Sequence, residues 1–449
     1  MTAPARTAAY HAVRAIASGR ADLPTALHAS RARLADDRDR SLTAEIVNGT
    51  LRWQRSLDYL IEHFSRRRIV KIDDEVVAIL RLSLYQLLHL TRVPASAVVD
   101  DAVDLTRAAR KPSATGFVNA VLRSTLRQRR RLPLPARPTD IADRDAALAY
   151  LGITHSHPDW LVARWFDRYG FDATERWVRF NNETPQLTLR VNRLRFTRDE
   201  AIVALEQDDV GTEPARFAPD GLIVTRGNPL RRPPDGLVFV QDEASQLIPA
   251  VVGASAGERI LDLCASPGGK TLAMAAGMND VGTIVASDVR PKRLALLQET
   301  VKIAQTRSVS VVRIPEAGPL PFAQAFDAVL VDAPCSGLGT VRRDPDIRWR
   351  RREEDLAPLA REQLALLLRA ADAVRPGGRL VYATCSSEPE ENDNVVAEFV
   401  ARRTDFRIVD LHAMGNTVVL PFIDVHGYFR TTPSEHGLEA FFATLLTRS

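Results

Sequence analysis

The sequence predicts an α/β protein in which a parallel-sheet domain follows an all-helical domain and a small α+β domain. From about residue 249, short apolar runs alternate with helix-compatible stretches, the pattern of a doubly wound sheet. Residues 1–130 instead show helical spacing throughout. Two cysteines, Cys335 and Cys385, each follow an apolar run (Ala328–Val331 and Leu380–Ala383), which puts both at strand ends. A length of 449 residues is too great for one core. The expected division is 1–135, 139–248 and 249–449.

Taken in order, Met1 to Arg20 reads as an amphipathic helix, because its arginines interrupt any signal-peptide core; an imitation of a transit peptide is the other reading. Ala44 to Leu60 carries Ile46, Val47, Leu51, Leu57 and Leu60 at mainly helical spacing. Val76 to Leu80 with Leu82, Leu84, Leu87 and Leu88 is apolar on most sides and is therefore expected to be buried. After Gly116 a helix opens at Phe117 and runs into Arg123, Arg127, Arg129, Arg130 and Arg131, either a solvated helix end or a grip for phosphates. The prolines of residues 132–138 break helix and read as a linker. Beyond it come a helix over Trp160 to Tyr169, a strand over Gln186 to Asn192, and a helix from Thr197 to Glu206 with Thr197 and Glu200 as a capping box. Strands at Leu222–Val224 and Leu237–Val240 flank a turn-rich piece containing Pro229, Pro233, Pro234 and Gly236. The last domain offers strands at Arg259–Cys264, Thr283–Asp288, Ser308–Ile314, Ala328–Asp332 and Arg379–Thr384, with a turn at Pro376-Gly377-Gly378 and a helix over Glu362 to Val374.

The net charge of +4 is mild, but its basic excess is concentrated in residues 1–140 and the remainder is slightly acidic. That suggests a polyanion-binding front end, against the blander reading of an arginine-biased composition. Three cysteines without paired spacing give no disulfide framework and no metal site, and they suit a reducing cytoplasm. No apolar run approaches the roughly 18–20 residues of a membrane helix.

Ile260 to Thr271 reads as strand, glycine-bearing loop and helix start, which brings ligand, backbone and a helix N-terminus together. It is no Walker loop, since Cys264 stands where the first glycine is required. Asp288, ending the next strand, is placed either to accept from ribose hydroxyls or to cap a helix. A strand–helix–strand crossover carries Asp332-Ala333-Pro334-Cys335-Ser336-Gly337 and Ala383-Thr384-Cys385-Ser386 to one crevice. No histidine lies close in sequence to either thiol, and the helix start at Pro389-Glu390-Glu391-Asn392 is expected to offer backbone donors. Between the strands, residues 341–352 hold six arginines and Trp349, which suit a nucleic-acid strand or a salt-bridged loop.

These motifs resemble the Sun/RsmB family of 16S rRNA cytosine-C5 methyltransferases. The carriers are the Cys264–Thr271 loop, Asp288, the two cysteine motifs in this order, Arg342-Arg343-Asp344-Pro345-Asp346, Pro389 to Asn392, and Val240 to Ser245. Gly49 to Trp53, Leu84 to Leu87 and Gly116 to Arg123 are similar to the NusB fold. The resemblance implies a Rossmann-like methyltransferase domain behind a NusB-like RNA-binding domain. It implies S-adenosyl-L-methionine as cofactor, with Cys264, Ala265, Ser266, Pro267, Gly268, Gly269 and Lys270 at its methionine end, Asp288 at the ribose and Glu316 on the adenine side. Glu316, Ser266 and Glu439-Ala440 depart from the family's usual Asp, Ala and Asp-Gly. By resemblance Cys385 is the nucleophile, Cys335 assists its release, and Asp332 holds the cytosine edge and borders the cofactor. The partner implied is 16S rRNA; a cytoplasmic monomer without metal or membrane contact is expected. Two rivals have different signatures: a DNA cytosine-5 methyltransferase would attack with Cys335, and a non-catalytic assembly factor would transfer no methyl. Another RNA, such as tRNA, is the alternative substrate.

Overall fold

The computed structural model describes residues 2–230 and 236–449, so Pro233 and Pro234 of the expected turn lie outside the described residues. The chain forms two compact units, Met1–Thr184 with Val341–Glu353, and Pro185–Thr340 with Glu354–Ser449. Among the described residues no helix is long and apolar enough to cross a membrane.

The first unit is helical. Its centre is the helix Asp74–His89, whose Ile79, Leu80, Leu82 and Leu84 are fully buried, as their all-round apolar pattern requires. Helices Pro4–Ala17, Asp37–Arg52, Gln54–Ser65, Ala95–Ala108 and Thr115–Gln128 pack their apolar faces around it. Gly49 permits the closest of these approaches: a Cβ there would stand 1.8 Å from Cζ of Tyr85, whose hydroxyl donates to Glu45 Oε1 at 2.5 Å. Arg127, Arg129, Arg130 and Arg131 lie exposed where the last of these helices ends. The linker residues 132–138 have no regular structure, and the helix predicted from Trp160 extends to Phe180 with a break at Gly170.

The arginine-rich segment after Thr340 folds as part of this unit, which corrects the expectation of a nucleic-acid strand for its central residues. Arg348 is fully buried; Nη1 donates to the carbonyls of Ser156 (3.0 Å) and Arg52 (3.4 Å) and to Asn182 Oδ1 (3.0 Å), and Nη2 to the Asn181 carbonyl (3.1 Å). Trp349 Nε1 donates to the Leu51 carbonyl at 2.6 Å, and the Arg342 guanidinium lies 3.9 Å over the Phe180 ring. Carbonyls left open at helix ends are acceptors that a guanidinium fork satisfies well, so the fork serves the fold.

The second unit holds two sheets. In the smaller, β1 (Thr188–Val191), β2 (Gly211–Pro214), β3 (Gly221–Arg226) and β4 (Val238–Val240) run antiparallel in the order β2-β3-β1-β4. The capping box of Thr197 and Glu200 opens the helix Arg198–Gln207, which covers one face through Ala201 and Leu205. The larger sheet is built from β5 (Arg259–Asp262), β6 (Thr283–Asp288), β7 (Val309–Arg313), β8 (Phe326–Asp332), β9 (Val374–Thr384), β10 (Phe406–Val409), β11 (Phe429–Thr431) and β12 (Phe441–Arg448). Its order is β10-β12-β9-β8-β5-β6-β7, with β11 paired to β12. The strands β5 to β9 are mutually parallel; β10, β11 and β12 add antiparallel pairs absent from the sequence reading.

Alternation decides which helix each strand residue meets. Ile260, Ala328, Leu330 and Val381 pack with Leu247 and Met274, while Leu261, Val329, Val331 and Tyr382 pack with Leu364, Leu367 and Phe399. The predicted turn at Pro376-Gly377-Gly378 falls within β9 as a register shift opposite Phe326 to Ala328. Substituting Gly49 by alanine is expected to lower stability by about 1–3 kcal/mol or more, because the rigid Tyr85 ring has to move; urea denaturation followed by circular dichroism measures it.

Candidate active site

Parallel strands deliver their carboxyl ends to one edge, and the predicted site residues gather there. At the end of β5, Asp262 is buried and its Oδ2 accepts from Thr271 Oγ1 at 2.6 Å. Its Oδ1 has no hydrogen-bond partner among the described residues. Burial, with the charges of Asp332 and Asp288 adding, pushes its carboxyl up to about 7 against the bonds and charge of Thr271 and Lys270. The chain then turns through Cys264 to Gly268. Gly268 takes φ +107° and caps the helix Gly269–Gly277. Gly269 lies flat against Gln241, whose side-chain atoms come within 3.1 Å of where a Cβ would stand. Burial, then the charge of Asp262, raises the Cys264 thiol, so it stays protonated and is no nucleophile.

Asp288 ends β6. Its Oδ1 accepts from the Arg290 amide at 3.0 Å, a turn bond that precedes the helix Pro291–Ala304, whose N-cap position is Arg290 and not Asp288, and its Oδ2 pairs with Arg293 Nε at 3.1 Å. Arg293 also donates to the Ser266 carbonyl at 2.7 Å, and Ser266 Oγ donates back to the Arg293 carbonyl at 2.9 Å. The loop after β5 and the acid after β6 are thus tied to one guanidinium. Glu316, three residues beyond β7, carries an exposed side chain, while its carbonyl is held by Arg369 at 3.1 Å.

β8 and β9 pair in parallel with Asp332 beside Ala383, and the Ala333 amide donates to the Ala383 carbonyl at 2.9 Å. This register brings Cys335 Sγ to 3.2 Å from Cys385 Sγ. The hydrogen bond to Cys385, then burial, raises the Cys335 thiol well above its ordinary range. Both causes favour the protonated Cys335 thiol, and either sulfur can be the donor in this contact. Lys270 Nζ lies 2.7 Å from Asp332 Oδ2. Burial works to lower the Lys270 ammonium, but the charge and hydrogen bond of Asp332, and the nearby Cys385, outweigh it and hold the ammonium above its ordinary value.

The motif after Cys385 does not act through backbone donors, as the sequence reading expected. The fully buried Glu391 accepts instead: Oε1 from the Ser336 amide (2.7 Å) and Gln363 Nε2 (2.9 Å), Oε2 from Ser336 Oγ and Ser386 Oγ (both 2.5 Å). One carboxylate thus clasps the residues that follow both cysteines. Asn392 completes the frame, donating to the Ser386 carbonyl at 2.9 Å and accepting from Thr384 Oγ1 at 2.5 Å. Gly339 is fixed by contact: its amide donates to the Cys385 carbonyl at 3.0 Å, and a Cβ would sit 1.9 Å from the Ala440 carbonyl oxygen. Sequence reasoning named the motif of Glu391 without this role, did not single out Gly339, and used Asp262 only as a strand marker.

Residues 250–447 match the family model described as 16S rRNA methyltransferase RsmB/F, residues 3–127 the NusB family, and residues 157–231 a RsmF/B-like, ferredoxin-like domain. The chain is 33% identical over 414 residues to "Probable ribosomal RNA small subunit methyltransferase B" of Bacillus subtilis (strain 168), covering 90% of each protein. It is 34% identical to "Ribosomal RNA small subunit methyltransferase B" of Pseudomonas putida, covering 90% of this chain and 91% of that one. The solved structure described as "Crystal Structure of PH0851" superposes with a TM-score of 0.80 at 27% identity, over 99% of both chains. That of NSun6 from Pyrococcus horikoshii with SFG shares the fold at a TM-score of 0.55, with 20% identity over 65% of this chain and 98% of its own. With relatives of this identity over nine-tenths of its length, the chain belongs to the RsmB/F family of 16S rRNA methyltransferases.

Proposed function

We propose that this protein methylates carbon 5 of a cytosine in 16S rRNA from S-adenosyl-L-methionine, with Cys385 as nucleophile. The observation that carries the reading is the 3.2 Å approach of Cys385 to Cys335 at the ends of neighbouring parallel strands. The residues present fit the cofactor: the open Oδ1 of Asp262 suits an ammonium, the Gly268–Gly269 turn admits a close approach, and the Asp288 carboxylate suits ribose hydroxyls. We assign Cys264 to Lys270 to the methionine end, Asp288 to the ribose, and Glu316 to the adenine side. When bound, S-adenosyl-L-methionine supplies an electrophilic methyl on a sulfonium. The division of labour is RNA binding in 1–135, RNA contact in 139–248 and catalysis in 249–449, in a cytoplasmic monomer.

Cytosine C5 is a poor nucleophile. A Cys385 thiolate that bonds to C6 makes C5 enamine-like, so that it attacks an electrophilic methyl; this is covalent catalysis. Asp332 is held through Oδ2 by Lys270, and we assign it to the polar edge of the cytosine, where a carboxylate accepts from the exocyclic amino group. Release then requires that a water molecule take the C5 proton, that the C5–H pair restore the C5–C6 double bond, and that the S–C6 bonding pair return to Cys385. The Cys335 thiol hydrogen bond stabilises that departing sulfur. An extruded base is needed for such access, which gives an RNA-gripping domain its purpose.

Bisulfite sequencing of total RNA from cells lacking the gene tests the activity: one cytosine of 16S rRNA should lose its protection, and loss of protection in no RNA, or in tRNA alone, overturns the reading. Cys385→Ala is expected to abolish transfer and the covalent adduct. Cys335→Ala should instead accumulate an RNA–protein adduct on denaturing gels. The reverse pattern would make Cys335 the attacker.

Glu391→Gln replaces an acceptor of four hydrogen bonds by a side chain that can accept at only one end. Buried donors left open cost about 1–3 kcal/mol each. The single-turnover rate should fall by about 10-fold or more, with a smaller change in KM for RNA.

Asp262 gives a pH signature. With its folded value raised to about 7 from 3.8, the fold holds a proton that the unfolded chain has already lost over that window. Cofactor-free stability therefore falls as pH rises through it, by up to about 1.4 kcal/mol per pH unit, and levels off above it. Asp262→Asn should flatten that slope in denaturation at pH 5 and pH 8; equal slopes in both proteins would remove the carboxyl from the account.

A further inference from the structure

Arg190 is a buried cation that the mechanism above does not use. It lies in β1, where Leu189 and Val191 point into the core of the small sheet and the alternation turns Arg190 to the opposite face. Its strand neighbours there are Gly221 on one side, which has no side chain, and Phe239 on the other, whose ring centroid lies 5.5 Å from the guanidinium carbon. The residue is only 3% exposed. Among the described residues the guanidinium makes one hydrogen bond, from Nε to Gln241 Oε1 at 2.7 Å, and its buried Nη2 has no partner. Among the described residues no carboxylate forms an ion pair with it, and Asp220, whose charge acts on it, is engaged by Arg193 at 3.2 Å. Burial pulls Arg190 down to about 10, which still leaves it charged at neutral pH. An unpaired buried charge is strongly unfavourable unless something satisfies it.

Its location supplies the ligand. Gln241, the one partner of Arg190, packs directly on Gly269, the first residue of the helix Gly269–Gly277. Lys270 follows, bonded to Asp332 of the cysteine strand. Arg190 is therefore one side chain away from a helix N-terminus at the catalytic edge. Both features favour an oxyanion.

We propose that Arg190 and Gln241 form an oxyanion subsite beside Gly269 that takes a backbone phosphodiester of the bound RNA. This rests on the RNA methyltransferase reading. A nucleotide drawn out of its stack has to be held by its backbone while the ring is attacked. A guanidinium with an unpartnered Nη2 has a donor left for a phosphate oxygen. The cofactor's carboxylate shares this oxyanion chemistry, and the experiment separates the two sources.

Binding of an unmodified 16S rRNA transcript is measured at several salt concentrations for wild type, Arg190→Gln and Arg190→Lys, with S-adenosyl-L-methionine affinity measured by calorimetry. Arg190→Gln is expected to weaken transcript binding by about 10-fold. It should reduce the slope of log affinity against log salt by about 0.7, one phosphate contact to a single strand, and leave cofactor affinity unchanged. Arg190→Lys keeps the charge and loses the fork, so it should retain the wild-type slope with intermediate affinity. An unchanged slope with weakened cofactor binding moves the oxyanion to the cofactor and overturns the proposal. No change in either, or loss of cooperative unfolding in both variants, assigns the guanidinium to the fold alone and overturns it as well. Failure of the underlying reading shows separately, as absence of methyl transfer by the wild-type protein.

Discussion

The parallel pairing of β8 with β9 is the constraint on which the rest depends. Asp332 stands beside Ala383, so three residues on from one and two from the other the chain reaches Cys335 and Cys385. A strand register is all-or-none, since a slip of one residue turns every side chain to the other face. Here a slip would also exchange the residues packed against Leu247 for those packed against Leu364. The two apolar layers thus enforce the register, and the register sets the distance between the thiols. What remains is the conformation of two loops, and Glu391 governs both, because its two oxygens are shared between Ser336 and Ser386.

Charge is arranged around this frame with little redundancy. Asp262, Asp288 and Asp332 end three strands of one sheet edge, and each is answered differently. Asp332 has Lys270, Asp288 has Arg293, and Asp262 has a hydroxyl and an open oxygen. A buried carboxyl without a cation shifts its pKa upward, so Asp262 stays close to neutral until a positive group arrives. A cofactor that brings both an ammonium and a sulfonium is complementary to such an edge, whereas an anionic one would meet three acids.

Much of this was legible in the sequence, and the reasons are specific. Ala328 to Asp332 and Leu380 to Thr384 are continuous apolar runs, the mark of strands buried on both faces, and they forced the crossover reading. The Gly268–Gly269 pair marked the turn because positive φ at Gly268 has few other tenants. Glu391 escaped because an acid in a polar tetrapeptide reads as surface, and nothing local reveals that four donors converge on it from residues 336, 363 and 386. Arg190 escaped for the same reason: in an alternating strand an arginine reads as the solvent-facing half of the pattern. The strands β10 to β12 were lost because their pairing is antiparallel and non-local, outside the βαβ repeat that organised the reading.

The arginine-rich segment shows how composition and burial part company. Six arginines around a tryptophan are what a nucleic-acid strand would favour, yet Arg348 and Trp349 spend their donors on main-chain carbonyls of Leu51, Arg52, Ser156 and Asn181. Those carbonyls sit at or just beyond the C-terminal ends of helices, where regular helical amide donors run out, so the cation is drawn inward by acceptors with capacity to spare. Arg190 presents the converse, a buried guanidinium with donors to spare. Counting arginines does not distinguish the two; counting the acceptors each one has found does. By that measure Arg348 is structural and Arg190 is available to an anion.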